Sequence, residues 1–113
     1  MLGGVIPAYA HQIEKAVHSG DRIRANHRLA ALLASYFDVL FALNRRPHPG
    51  EKRLVEYALR HGTLLPTDFE TDLDTVLLAS GAAGPALNAA VVRLLDHLDA
   101  LLGQPEFAVR REA

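Results

Sequence analysis

Residues 21–44 read DRIRANHRLAALLASYFDVLFALN, and this stretch decides the fold. Large apolar side chains recur in it every three or four residues, which is the period of an α-helix. The members of this series are Leu29, Leu33, Tyr36, Leu40 and Leu43, with Leu32, Phe37 and Val39 beside them. An apolar arc this broad predicts a central helix that packs against neighbours on several sides.

Turn signals upstream and downstream of this helix delimit two further helical segments. Gly20 is suited to a left-handed helix end, and Asp21 is a good N-cap for the central helix. Pro7 is expected to begin the first helix, because a proline in the first helical position costs no hydrogen bond. A short third helix is expected over residues 51–61, and Gly62 ends it.

The second half of the chain contains two more helix starts. Residues 67–70, Thr-Asp-Phe-Glu, have the pattern of a capping box, in which the Thr and Glu side chains bond the free N–H groups of the first turn. A fourth helix is therefore expected up to the glycine-rich run 81–84, and Pro85 opens a fifth that ends near Leu102. Because no alternating β-type pattern competes, the predicted fold is all-α, an antiparallel bundle of about five helices with short connections.

Length and composition favour one folded domain. The chain has 113 residues, of which 50% are apolar and 22% charged, as in globular proteins. The formal net charge of −1 provides no overall attraction to nucleic acid or membrane. We expect residues 1–103 to form a single helical domain and residues 104–113 to form a tail that frays.

Several features favour a cytoplasmic protein. The chain has no cysteine, which fits a reducing compartment and excludes disulfide and thiol chemistry. Its start lacks the basic and apolar regions of a signal peptide. No apolar run reaches the roughly 20 residues needed to span a bilayer, so membrane insertion is not expected.

The connection between the second and third helical segments, residues 44–53, collects basic side chains and is named the basic turn. Free N–H groups at the start of the third helix would point into the space around these side chains, which would make a seat for phosphate or carboxylate. The candidate binding residues are Tyr36, Asp38, Arg45, Arg46, His48, Lys52 and Arg53. The alternative is an ordinary turn, in which the arginines satisfy the last carbonyls of the central helix.

A face of small and polar side chains also runs along the central helix. Its members are His27, Ala31, Ala34, Ser35, Asp38, Ala42 and Arg45. The face indicates either a ligand groove, in which Asp38 orients Arg45 or bonds a ligand, or a close contact between helices.

No catalytic or metal site is predicted in this chain. His11, Glu14 and His18 share a helix face but match no ligand motif. Asp72 and Asp74 have the spacing of a nucleotidyltransferase metal pair, which requires a strand, whereas on a helix they diverge by about 200°.

Arg22 and His27 reproduce the Arg-x4-His spacing of HEPN-type helical ribonucleases, in which an arginine and a histidine near a dimer axis attack RNA. The competing interpretation is a solvated helix start, because the spacing is short and falls in the first turns of a helix. A tight symmetric homodimer with Arg22 and His27 of both copies at its axis would favour the ribonuclease-like interpretation.

Residues 35–54, SYFDVLFALNRRPHPGEKRL, resemble the helical C-terminal region of a family of uncharacterised bacterial nucleotidyltransferase-like proteins. In that family a polymerase-β-like domain with Gly-Ser and Asp-x-Asp elements precedes a bundle akin to the substrate-binding half of aminoglycoside nucleotidyltransferases. This chain lacks the catalytic elements, so the resemblance implies a binding role without a reaction of its own.

The expected function is a non-catalytic domain that binds substrate or nucleotide and complements a nucleotidyltransferase catalytic domain, in the same chain or in another. Magnesium and nucleotide are expected only together with that partner. The alternatives are a small helical interaction module, such as a HEPN-like partner in a toxin–antitoxin pair, and a scaffold bundle without a ligand.

Overall fold

The computed structural model describes residues 2–47, 50, 53–62 and 64–103, and over these residues it contains five α-helices and no strand. The helices are α1 (Leu2–His18), α2 (Arg22–Leu43), α3 (Leu54–His61), α4 (Phe69–Ser80) and α5 (Pro85–Leu102). The predicted all-α bundle is confirmed. None of the helices in this part of the chain is both long and apolar enough to cross a membrane.

Two helical hairpins make up most of the bundle. Residues 19–21 connect α1 to α2, residues 81–84 connect α4 to α5, and α1 also contacts α5. One continuous apolar core lies between the hairpins. Helix α2 contributes more buried residues to it than any other helix, as its broad apolar arc predicts. Tyr36 of α2 stacks on Phe69 of α4, with ring centroids 6.5 Å apart, so aromatic packing joins the two hairpins.

The junction between α1 and α2 forms as the sequence predicts. Gly20 has a φ of +75°, and its N–H donates to the Val17 carbonyl at 3.1 Å. The N–H of Asp21 donates to the Ala16 carbonyl at 2.9 Å, which completes a Schellman helix end. The Asp21 carboxylate then accepts a bond from the N–H of Arg24 at 3.0 Å and caps α2.

The predicted starts of α1 and α3 differ from the observed ones. Helix α1 begins at Leu2, so Pro7 lies inside it, where its missing N–H removes one hydrogen bond of the helix. Helix α3 begins at Leu54; residues 51 and 52, where its start was expected, lie outside the described part of the chain. Residues 104–113, the predicted tail, also lie outside it.

The predicted capping box of α4 does not form. The helix begins at Phe69, and its N-cap is Asp68, with a left-handed φ of 54° and no side-chain bond to the first turn. The carboxylate of Asp68 instead lies 3.3 Å from the guanidinium of Arg93 on α5. The N-cap carboxylate therefore makes a long-range ion pair and does not cap its own helix.

Candidate functional site

The basic turn starts with a second Schellman helix end, at the C-terminus of α2. The N–H of Arg45 donates to the Ala42 carbonyl at 3.1 Å, and the N–H of Arg46 donates to the Phe41 carbonyl at 3.0 Å. Arg45 occupies the left-handed position with a φ of 55°, where glycine is the usual residue. This geometry turns the chain away from α2 and leaves the Arg45 side chain exposed.

Two side chains then fix the turn to the rest of the bundle. The Nε of Arg46 donates to the His61 carbonyl at the end of α3, at 3.1 Å. The side-chain amide of Asn44 donates to the carbonyls of Leu40, at 2.8 Å, and Leu64, at 2.9 Å. Its oxygen accepts a bond from the Leu64 N–H at 2.8 Å. Sequence reasoning assigned no role to Asn44, although it holds the end of α2 to the loop after α3.

The other predicted binding residues fall into different environments. Arg53 is exposed, has a left-handed φ of 56°, and lies 3.7 Å from the Glu56 carboxylate. Asp38 is exposed on α2, whereas Tyr36 is fully buried in the core and does not share its face. His48 and Lys52 lie outside the described residues. The structure thus leaves Arg45 and Arg53 at the surface of the connection and places Tyr36 inside the bundle.

The small-residue face of α2 is mainly solvent-exposed. Ala34, Asp38 and Ala42 are exposed, and Ala31 and Ser35 are half-buried. Such exposure does not fit the alternative of a close, buried helix contact along this face.

Arg22, one of the two residues in the ribonuclease-like spacing, has a structural contact. Its Nε donates to the Gly81 carbonyl at 2.9 Å, and Asn26 donates to the neighbouring Ser80 carbonyl at 2.8 Å. Both bonds satisfy carbonyls at the C-terminal end of α4. His27 is exposed on α2. Arg22 therefore helps to hold the two hairpins together.

The most highly organised group of charges lies elsewhere, between α4 and α5, and was not predicted. This group, the Asp72 cluster, consists of Asp68, Asp72, Arg93 and His97. Asp72 is only 2% exposed. One of its carboxylate oxygens lies 2.5 Å from Nδ1 of His97, and the other accepts a bond from Nε of Arg93 at 3.1 Å. Both oxygens of a buried carboxylate are thus paired, as burial of a charge requires.

The hairpin geometry explains how the cluster assembles. Arg93 and His97 are four residues apart on α5 and therefore share one helix face. Asp72 follows Phe69 by three residues and precedes Val76 by four, so it lies on the buried side of α4. A carboxylate within the apolar stripe of α4 was the signal in the sequence that could have revealed the site. Asp74 is exposed, so the two aspartates diverge on the helix as expected.

The cluster changes the acid–base properties of its neighbours. Hydrogen bonds to Asp72 and then to Asp68 raise the pKa of Arg93, which keeps it cationic. Burial, and secondarily the charge of Asp72, raise the pKa of Tyr36 above its ordinary value. The Tyr36 hydroxyl is buried and has no hydrogen-bond partner within the described residues. Asp72 thus orients His97 and Arg93, and it adds to the effect of burial on the pKa of Tyr36.

Two open cavities of about 460 and 490 Å³ lie between α3 and α4. Val55 and Glu70 line both, and the two cavities together are named the α3–α4 groove. Leu59 and Leu77 line it and are 46% and 56% exposed.

Comparison of the chain with protein-family models, curated proteins and solved structures finds no match.

Proposed function

We propose that this chain is a non-catalytic helical domain that binds a nucleotide or another anionic substrate at the basic turn and complements a polymerase-β-like nucleotidyltransferase domain. The observation that carries the proposal is the use of arginine at two left-handed positions, Arg45 and Arg53. Glycine adopts this conformation without the steric penalty of a side chain. Retaining an exposed arginine at each position favours a use for the side chain that offsets the backbone strain.

The contacts around the turn suit such a role. Asn44 and Arg46 fix the backbone to the loop after α3 and to the end of α3. A backbone held in this way loses less entropy when a ligand binds. The guanidinium groups of Arg45 and Arg53 can bond phosphate oxygens in bidentate fashion, and Asp38, exposed on α2, is the predicted contact for a polar group of the acceptor substrate. His48 and Lys52, which lie outside the described residues, are predicted from the sequence to belong to the same binding site.

The chemistry of transfer would come from the partner. Its carboxylates would hold magnesium and activate the acceptor, whereas this chain would position the anionic substrate. The partner would lie in the same polypeptide or in another, and the complex would work in the cytoplasm.

Titration of the chain with ATP, followed by NMR, tests the binding role. We expect chemical-shift changes over residues 44–54, and we expect the double variant Arg45→Ser/Arg53→Ser to lose most of them. The matched control is Arg24→Ser, because Arg24 is an exposed arginine on α2 outside the turn. Unmoved signals at residues 44–54, or equal shifts in the double variant and in the wild type, would refute the proposal.

The α3–α4 groove supports a second candidate, a protein-interaction module. Apolar side chains line it, and within the described part of the chain the charged lining residues are Glu56, Glu70 and Asp74 against the single cation Arg53, so its net charge is negative. Charge complementarity therefore favours one kind of occupant, an amphipathic helix of a partner protein with leucines on one face and lysines or arginines beside them.

A designed helical peptide with leucines spaced by three and four residues and flanked by lysines provides the probe. Binding should exceed that of the same peptide flanked by glutamates, and Leu77→Lys should abolish it. The matched control is Val92→Lys, because Val92 is a comparably exposed apolar residue on α5. Equal binding of both peptides would contradict the proposed occupant, and concentration-dependent dimerisation that Leu77→Lys abolishes would show that a second copy of the chain fills the groove.

A further inference from the structure

The Asp72 cluster brings together three side chains of the types that bind transition metals. Asp68, Asp72 and His97 each place one potential ligand atom within 4.8 Å of the other two. Two of these atoms are carboxylate oxygens and one is an imidazole nitrogen, a set that suits zinc and similar divalent ions. The ligands come from the start of α4, the body of α4 and α5, so the tertiary fold is needed to assemble them.

The present arrangement leaves charge unbalanced. Two carboxylates face one guanidinium, so the cluster carries a net negative charge whenever His97 is neutral. A divalent cation in place of the guanidinium would balance both carboxylates and would use the neutral imidazole as a ligand. Arg93 is the group that could leave, because its side chain is 63% exposed whereas that of Asp72 is 2% exposed.

The distances require only small movements. Zinc binds nitrogen and oxygen ligands at about 2.0–2.2 Å, which in a tetrahedron separates the ligand atoms by about 3.4 Å. The Nδ1 of His97 and the Asp72 carboxylate oxygen, now 2.5 Å apart, must therefore move apart. Ligand atoms that are now further apart than the tetrahedral separation, up to the 4.8 Å that bounds the group, must move closer. The exposed side chain of Asp68 gives this adjustment freedom at one corner.

We propose that Asp68, Asp72 and His97 form a binding site for a divalent ion of the zinc type, and that Arg93 occupies the position of the ion in its absence. Water would complete the coordination. Binding ties α4 to α5 and stabilises the folded chain, because the unfolded chain lacks the assembled site.

Zinc titration of the full chain, by calorimetry and by NMR at neutral pH, tests the site. We expect one zinc ion per chain, with shifts at His97 and at its neighbours on α4. His97→Gln and Asp68→Asn should each weaken binding by at least about tenfold. Arg93→Ala should bind zinc at least as tightly as the wild type, because it removes the competing cation.

Other histidines provide the controls. His27→Gln removes an exposed imidazole on α2 and should leave zinc affinity unchanged, as should His11→Gln on α1. Far-UV circular dichroism verifies that each variant is folded, and His97→Gln and Asp68→Asn keep the test independent of substitution at buried Asp72. The proposal is overturned by the absence of binding at millimolar zinc, by unchanged affinity in His97→Gln, or by weaker binding in Arg93→Ala.

Discussion

The basic turn and the Asp72 cluster both combine charged side chains with left-handed backbone, and they differ in where the charge lies. Arg45 and Arg53 hold their strained positions with side chains exposed to solvent. Asp68 holds a similar position, but its carboxylate is directed to Arg93, next to the buried Asp72. Exposed charges contribute little to stability and remain available to a ligand, whereas buried, paired charges become part of the fold.

Removal of the buried carboxylate should have the largest effect on stability. Asp72→Ala deletes the partner of both Arg93 and His97 and leaves space in the interior beside α5. We expect a loss of about 3 kcal/mol in the free energy of unfolding, measured by urea denaturation. Asp74→Ala, an exposed aspartate on the same helix, should change stability by less than about 0.5 kcal/mol. Equal losses in the two variants would contradict the expectation that the buried carboxylate contributes more to stability than the exposed one.

Within the basic turn, the largest effect should come from a neutral residue. Asn44→Ala removes three hydrogen bonds that join α2 to Leu64 and to its own last turn. We expect a loss of about 2 kcal/mol in unfolding free energy, because the backbone groups of Leu64 are left without these partners. The control is Asn88→Ala on α5. A loss no greater than that of the control would mean that the turn is not fixed by this side chain.

Replacement of a strained arginine should increase the free energy of unfolding, in contrast to the two preceding substitutions. Arg45→Gly relieves the left-handed strain at the end of α2, and we expect a gain of about 1 kcal/mol in thermal or urea unfolding. The same substitution should weaken ATP-induced NMR shifts. Gly20→Ala, at the equivalent position after α1, should destabilise by about 1 kcal/mol. Destabilisation by Arg45→Gly would show that the arginine side chain supports the fold.

The smallest effect at neutral pH should occur at Tyr36. Tyr36→Phe removes a buried hydroxyl that has no partner within the described residues, so its stability should equal or exceed that of the wild type by up to about 1 kcal/mol.

The stabilities of the wild type and of Tyr36→Phe should differ at alkaline pH. Because the pKa of Tyr36 is raised in the folded state, the unfolded chain loses this proton first as the pH passes about 10, and stability falls. Between pH 10 and 11 the wild type should lose about 1 kcal/mol more than Tyr36→Phe. Parallel pH profiles would show that the folded protein ionises Tyr36 as readily as the unfolded chain.

The two regions also differ in how far the sequence predicts them. Local signals were sufficient for the junction between α1 and α2, because Gly20 and Asp21 act through neighbours within five residues. The basic turn could be predicted as a connection between two helices because its residues are consecutive in the sequence. Even there, Asn44 was missed, because its partner Leu64 lies 20 residues away.

The Asp72 cluster depends on the register between two helices. His97 is 25 residues from Asp72, and spacing along one helix does not fix which residues of the next helix face it. The contact between Arg93 and the carboxylate of Asp68, 25 residues apart, depends on the same register. Tyr36 was predicted both as a member of the apolar arc of α2 and as a ligand contact, and the structure places it in the core, because a helix directs Tyr36 and Asp38 to different faces.

The short connections of the two hairpins have a consequence for folding kinetics. Three residues close the first hairpin and four close the second, so most helix contacts join segments that are close in sequence. A chain of such low contact order folds rapidly, because little loop entropy is lost before each pair forms. We expect the docking of one hairpin on the other, where Tyr36 meets Phe69 and Arg22 meets the end of α4, to require the contacts most distant in sequence.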